Sequence, residues 1–396
     1  MPREPDSVAV LNAGSSSLKF SFFQATTSVC KGIIDRLGTA PSVESRAAIR
    51  DAQSACLFEG SIPAHNHEQA LQWLLDWLAQ YRPSLRPAAV GHRVVHGGDE
   101  FTAPARVTAD VLDRLETLVP LAPLHQPHNL APIRFLARQF PELPQVACFD
   151  TAFHASQARL ERMYALPRPW FDRGIKRYGF HGLSYEYIAT QLPQIDRRAA
   201  SGRTIVCHLG NGASLCALRA GQSVATTMGF TALEGLPMGT RCGAIDPGVL
   251  LHLLDHEKVT LDELTDLLYH RSGLLGVSGV SADMRDLLKS TAASAVEAVE
   301  YFCYRIAREL GSLAAALGGL DAVVFTGGIG EHAAPVRAKV AELAHWLGIR
   351  LDPDANAGNR SELHRADSAV SVLVIPTNEE LMIAQHTRRA LAEIPA

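Results

Sequence analysis

Apolar residues gather in short runs at 8–11, 18–23, 89–95, 144–149, 204–209, 214–218, 321–325 and 369–375. Runs of this length, bounded by turn residues, predict strands. The segments 68–80, 109–119, 129–139, 248–256, 260–269, 292–317 and 377–394 instead repeat their apolar positions at helical spacing and predict helices. Strands alternating with helices predict an α/β protein whose sheets are covered on their faces. The polar stretch 351–368 predicts a surface excursion before the last strand.

The pattern also echoes itself. VAVLNAGSSSLKFSFF (8–23) reads as strand, glycine turn with small polar residues, strand; TIVCHLGNGASLCAL (204–218) has the same grammar. A third apolar strand, AVVF (322–325), runs into TGGIGE. Glycines at such junctions let the backbone approach a ligand closely, with N–H groups turned toward an anion. Two matching units predict two similar lobes that face a shared phosphate. The Walker A spacing is absent, and HLGNGASL lacks the third glycine of the dinucleotide fingerprint. A phosphate site built from hairpin turns remains.

Candidate chemistry clusters near these turns. Alternation along LNAGSSSLKF puts Leu18, Phe20 and Phe22 on one face and Lys19 on the other, where it can reach what the turn holds. Asn12 offers an amide oxygen to a metal-bound water or a hydroxyl; an ordinary capped hairpin with a solvated lysine is the alternative. In AVGHRVVHGGDEF, Arg93 and Val95 share one strand face, which suits a small carboxylic acid: guanidinium for the carboxylate, valine for the alkyl tail. His92 and His96 fall on the opposite face and read as structural, and His252 and His256 as surface or core histidines. Asp150 ends an apolar strand, where open α/β sheets place ligand groups; a helix N-cap is the other reading. His181, Arg241, and Asp283 with Arg285 sit beside glycines, small residues or helix starts. Thr377 and Glu380 have capping-box spacing, which leaves Glu379 as the better candidate for a Mg²⁺ water shell.

Composition narrows the partners. At 396 residues, two lobes are expected on a prior of about 150 residues per domain. A net charge of −4 provides no basic excess to hold a nucleic-acid backbone. The start of the chain does not read as a secretory signal, and the longest uncharged apolar stretch, 310–320, is too short for a membrane helix. Seven dispersed cysteines without C-x-x-C disfavour a disulfide framework or a thiolate zinc site. A cytoplasmic protein acting on small molecules is expected.

N-A-G-S-S-S-L-K, H-R-V-V-H-G-G, F-D-T-A-F-H, R-Y-G-F-H-G, H-L-G-N-G-A-S, M-G-F-T-A-L-E-G, M-G-T-R, V-S-A-D-M-R-D, F-T-G-G-I-G-E and T-N-E-E-L follow one another along the chain. In content and order they resemble the acetate and propionate kinase family over about residues 7–390. The resemblance implies a two-domain actin-like ATPase fold with duplicated mixed-sheet α/β lobes and covering helices. The expected division is an N-terminal lobe, 1–150, completed by the C-terminal helix 377–396, and a nucleotide-binding lobe, 151–376. It implies reversible Mg-ATP-dependent phosphorylation of acetate to acetyl phosphate by direct in-line transfer, with a propionate or broad short-chain acyl kinase as the alternative. ATP/ADP would be co-substrate, Mg²⁺ the metal with Mn²⁺ as an alternative ion, and a homodimer the assembly.

Carried over by position, Asn12 and Glu379 resemble the metal site, and Asp150, His181 and Arg241 the catalytic residues. Arg93 resembles the carboxylate-binding arginine, while Val95, Leu124 and Phe180 match the acyl-pocket walls. Lys19, His208, Leu209, Gly210, Asn211, Gly212, Asp283, Met284, Arg285, Gly328, Ile329, Gly330 and Glu331 resemble the nucleotide site. Three positions depart from the family pattern. Ala232 replaces a proline and makes one acyl-pocket wall smaller; Tyr185 stands where a second histidine is usual; F-H-A-S-Q follows Asp150 in place of the commoner F-H-Q-T-M-P. A nucleotide-switched binding module is the reading from another class, against which Arg93, Val95, Asp150, His181 and Arg241 together speak.

Overall fold

In the computed structural model, which describes residues 7–38 and 43–392, the chain divides into two units: Met1–Phe153 with Asn378–Ala396, and His154–Thr377. The first unit holds β1 (Ser7–Ala13), β2 (Ser17–Gln24), β3 (Thr27–Asp35), β4 (Ser45–Asp51), β5 (Cys56–Ile62), β6 (Ala89–Val94), β7 (Ala105–Arg106) and β8 (Gln145–Phe149). They form one sheet in the order β5-β4-β3-β2-β1-β6-β8-β7. Strands β1 to β5 pair antiparallel, whereas β6 and β8 run parallel to β1.

Alternation along β6 assigns its two faces. His92 turns toward the Gln126–Gln139 helix, where its Nε2 donates to Gln145 Oε1 at 2.8 Å; burial lowers its pKa to about 4, so the ring is neutral. Gly91 turns toward the Glu379–Ala392 helix. A Cβ there would lie 2.3 Å from Thr387 Oγ1 and 2.6 Å from Ile383 Cγ2, so only glycine lets this helix lie against the sheet. Leu18, Phe20, Phe22, Ile34, Leu71, Leu74 and Trp77 form the core beneath the His67–Tyr81 helix.

The second unit holds β9 (Arg203–Leu209), β10 (Ala213–Arg219), β11 (Gln222–Thr226), β12 (Ala322–Thr326) and β13 (Ser371–Val374), ordered β11-β10-β9-β12-β13. β9, β10 and β11 pair antiparallel, and β12 and β13 run parallel to β9. The order and direction match β3-β2-β1-β6-β8, so each unit carries the same five-strand core. The correspondence reaches single residues. Asn12, next to last in β1, pairs with Lys19 across the first hairpin; His208, next to last in β9, pairs with Ser214 across the second. The long Ala293–Leu317 helix packs on β9, β10 and β11.

The eight strand-like runs correspond to β1, β2, β6, β8, β9, β10, β12 and β13. The apolar runs do not mark β3, β4, β5, β7 or β11. In β4 buried Ser45, Ala47 and Ile49 alternate with more exposed neighbours, and β5 is largely half-exposed; neither shows a continuous apolar run. The capping box at Thr377 is a correction. The last helix begins at Glu379, and its cap is Asn378, whose Oδ1 accepts from Leu381 N at 3.0 Å. Thr377 is engaged elsewhere: its N–H donates to Glu331 and its hydroxyl bonds Ser184. Residues 393–394 of the expected helix lie outside the described residues.

Candidate active site

In the first unit the polar residues stand at the carboxyl ends of the parallel strands β1, β6 and β8, where open α/β sheets collect ligands. Arg93, second from the end of β6, is clamped by Asp150, the residue after β8. Its Nε donates to Asp150 Oδ1 at 3.0 Å and its Nη2 to Oδ2 at 2.6 Å, while Nη1 donates to Asn12 Oδ1 at 3.3 Å. The Asp150 side chain is 2% exposed and that of Arg93 21%. Burial alone would lower the Arg93 pKa, but Asp150, Glu379 and Glu380 hold it above its ordinary value. A guanidinium has five N–H donors, and these bonds use three, so two remain for a ligand.

The backbone around this clamp is pinned from several directions. Val95 N donates to Asn129 Oδ1, Asn129 Nδ2 donates to Ala13 O in the first hairpin turn, and Gly97 N donates to Thr151 Oγ1. His67 Nε2 donates to the Gly14 carbonyl of that turn at 2.7 Å. Val95 is buried, Leu124 is half-buried and Lys19 is exposed beside Asn12.

In the second unit His181 caps the Gly182–Ile195 helix with φ 59° and ψ 21°, a left-handed conformation that costs a non-glycine residue energy and persists only where its surroundings enforce it. Its Nδ1 lies 2.8 Å from Ser214 Oγ, and its ring stacks on His208 at 4.3 Å. His208 Nδ1 in turn meets Ser184 Oγ at 2.8 Å. Arg241 Nη1 donates to the Ala232 carbonyl at 2.5 Å. Gly212 brings these groups together: a Cβ there would lie 2.7 Å from Arg241 Nη2 and 3.2 Å from His181 Nε2. The Arg241 segment is sewn to its neighbours through Met238 N to Arg241 O, Ser272 N to Thr240 O and Leu275 N to Gly239 O.

The nucleotide candidates also fall in this unit, Lys19 excepted. Asn211 is exposed at the second hairpin turn, closed by Gly210 N donating to Gly212 O at 3.0 Å. Leu209, Met284 and Gly330 are buried, so Leu209 and Met284 offer a ligand backbone rather than side chain. Gly328 faces open space and Ile329 is half-buried. Glu331 Oε1 accepts from Gly327 N and Thr377 N, which closes its own loop. Asp283 and Arg285 form an exposed ion pair; the Arg285 hydrogen bonds bring the Asp283 pKa down to about 2. Phe180 is buried and Ala232 half-buried.

Four contributors escaped sequence reasoning: His67, Ser184, Ser214 and Arg337. Arg337 is fully buried and donates to the carbonyls of Gly330 and Glu331, to Asn356 and to Asn359, so it holds the loop after β12. No spacing rule marks any of the four, since their partners are remote in sequence.

Among the described residues no group of three or more His, Cys, Asp or Glu could hold a metal. Mg²⁺ does not require one: it binds through one or two protein oxygens and keeps waters and phosphate oxygens. Asn12 and Glu379, both hard oxygen donors near Arg93, fit that demand.

Comparison with known proteins agrees with this geometry. The model of the Acetokinase family matches residues 7–385. An acetate kinase of Rhodopseudomonas palustris is 52% identical over 97% of this chain and 98% of its own, and one of Methylocella silvestris is 48% identical over 98% and 99%. Among solved structures, a propionate kinase from Francisella tularensis superposes with a TM-score of 0.91 at 36% identity, covering 97% of this chain and 99% of its own. The Porphyromonas gingivalis acetate kinase does so at 0.88 and 36%, covering 98% and 100%. The duplicated five-strand core is thus that of the two-lobe actin-like ATPase fold. A match from the first strand to the last helix, at up to 52% identity, leaves one conclusion: the chain belongs to the acetokinase family.

Proposed function

We propose that the chain transfers the γ-phosphoryl group of ATP to acetate, giving acetyl phosphate and ADP in a reversible reaction. The observation that carries the reading is Arg93, held at the end of a parallel strand by buried Asp150 with two donors unspent. Family membership supports it.

A carboxylate is already ionised at neutral pH, so its attack needs no general base. The obstacle is one anion approaching another, which is electrostatic. Arg93 binds the acceptor carboxylate, and Val95, Leu124, Phe180 and Ala232 contact its alkyl group. Asp150 has its carboxylate committed to two nitrogens of Arg93, so it orients the guanidinium rather than abstracting a proton. Arg241 and His181 donate to the oxygens of the group in transfer, where charge is carried in the transition state. Gly210, Gly212 and Gly328 give the phosphates close approach to backbone. Lys19, His208, Asn211 and the Asp283–Arg285 pair supply further nucleotide contacts. Asn12 and Glu379 would hold Mg²⁺ or its waters. When bound, Mg²⁺ neutralises phosphate charge. Seven cysteines that form no disulfide among the described residues suit a reducing, ATP-supplied compartment such as the cytoplasm.

The test is coupled ADP release with millimolar acetate, propionate and butyrate. Acetate is expected to give the highest kcat/KM, with propionate about 10–200-fold lower, the scale of one methylene in a pocket. Ala232 favours propionate kinase as the second reading, and propionate exceeding acetate would establish it. Absence of ADP release with every acid would overturn both.

A homodimer is the assembly we propose. The Pro247–Asp255 helix, PGVLLHLLD, buries none of its residues, and Leu251 is 67% exposed. An apolar helix left uncovered marks an interface. Sedimentation should read twice the 42.8 kDa chain mass, and Leu251→Glu should give the single-chain mass. A monomer from the unaltered chain would count against this assembly.

A further inference from the structure

Tyr185 stands where the family pattern has a histidine, and its surroundings give it a defined task. It lies in the first turn of the Gly182–Ile195 helix and is fully buried. Its hydroxyl is 2.5 Å from Ser214 Oγ on β10, and Ser214 Oγ is 2.8 Å from His181 Nδ1. Among the described residues, Ser214 is the one hydrogen-bond partner of that hydroxyl. Were the phenol only to accept from Ser214, its own O–H would be buried without an acceptor, an expensive arrangement. Tyr185 therefore donates to Ser214 Oγ. Serine has a single hydroxyl hydrogen, and His181 Nδ1 receives it. A ring nitrogen that accepts carries no proton, so the neutral imidazole bears its hydrogen on Nε2. That nitrogen lies on the side of the ring away from Ser214, next to Gly212 and Arg241.

We propose that Tyr185 and Ser214 are positioning residues that hold His181 in its Nε2–H tautomer, so that it presents a hydrogen-bond donor beside Arg241 to the phosphoryl group. No proton changes hands; the chain of hydroxyls selects which nitrogen carries it. Burial raises the Tyr185 pKa well above its ordinary value, which keeps that donor protonated. The charged and titratable neighbours of His181 in the second unit include His208 and Arg241. His208 stacks on His181 with its own Nδ1 tied to Ser184, and Arg241 brings a fixed positive charge to the Nε2 side. For the neutral ring, the choice between two tautomers decides whether it meets the phosphate as a donor or as a lone pair.

The inference rests on reading His181 as a donor to the phosphoryl group, and the two fail separately. Ring ¹⁵N spectra of the full-length protein should show His181 as Nε2–H near neutral pH, with Tyr185→Phe or Ser214→Ala shifting it toward Nδ1–H. This readout needs no turnover. In assays at pH 8, either substitution should lower kcat about 10–100-fold, the scale for removing a partner that orients a histidine, with the KM for ATP within about two-fold. An Nδ1–H tautomer in the unaltered protein overturns the proposal outright. So does an Nε2–H population left unchanged in whichever of Tyr185→Phe and Ser214→Ala folds. Full kcat in His181→Gln would instead overturn the reading of His181 and leave the tautomer assignment standing.

Discussion

Arg241→Ala is expected to lower kcat by about 10²–10⁴, or roughly 3–5 kcal/mol of transition-state stabilisation, the scale for one positioned donor. Its KM for ATP and its melting temperature should change little. The expectation follows from how the residue is held. Main-chain bonds from Met238 to Arg241, Ser272 to Thr240 and Leu275 to Gly239 fix the segment, and none of them uses the guanidinium. The side chain itself donates to the Ala232 carbonyl. Truncation therefore removes charge from the site while the loop keeps its path. Steady-state kinetics beside a thermal melt separate these effects. A kcat within a few-fold of the unaltered enzyme would remove Arg241 from the mechanism, and a collapsed melting temperature would make its role structural.

The second large effect concerns the Arg93–Asp150 clamp. Arg93→Ala should raise the KM for acetate by about 10²-fold or more, since it deletes charge-assisted hydrogen bonds to the acceptor, each worth about 1.5–3 kcal/mol. Asp150→Ala should be as damaging although it touches no substrate in the proposed mechanism. It leaves a guanidinium only 21% exposed without the carboxylate that holds two of its nitrogens. If Asp150 acts only through Arg93, adding Asp150→Ala to Arg93→Ala should cost almost nothing further. A double-mutant cycle on kcat/KM would then show a coupling of several kcal/mol. Full additivity would refute the clamp and point to an independent task for Asp150, such as ordering a metal-bound water.

Much of the scaffold was legible before the structure. Strands β1, β9, β10 and β12 are buried almost throughout, so their residues must be apolar on both faces and composition alone marks them. β4 was illegible for the opposite reason: it is buried on one side only, and two of its three buried residues are the small Ser45 and Ala47. The Thr377–Glu380 spacing misled because capping is a local rule, and here remote partners outcompete it. Glu331 takes the Thr377 N–H and Ser184 its hydroxyl, so Asn378 makes the cap. Tyr185 was visible only as a departure. Its meaning required Ser214, which is 29 residues away on another element.

Taken alone, the amino-acid order determined the elements, their duplication, and which polar side chains stand at strand ends beside glycine turns. Those properties follow from two-residue and 3.6-residue periodicity, which act over a few neighbours. Tertiary structure alone decided what each polar group is bonded to. Arg93 meets Asp150 across 57 residues and Asn12 across 81, and His181 meets Ser214 across 33. A buried donor or acceptor takes whichever partner the packed sheets bring within about 3 Å, and separation along the chain carries no information about that distance.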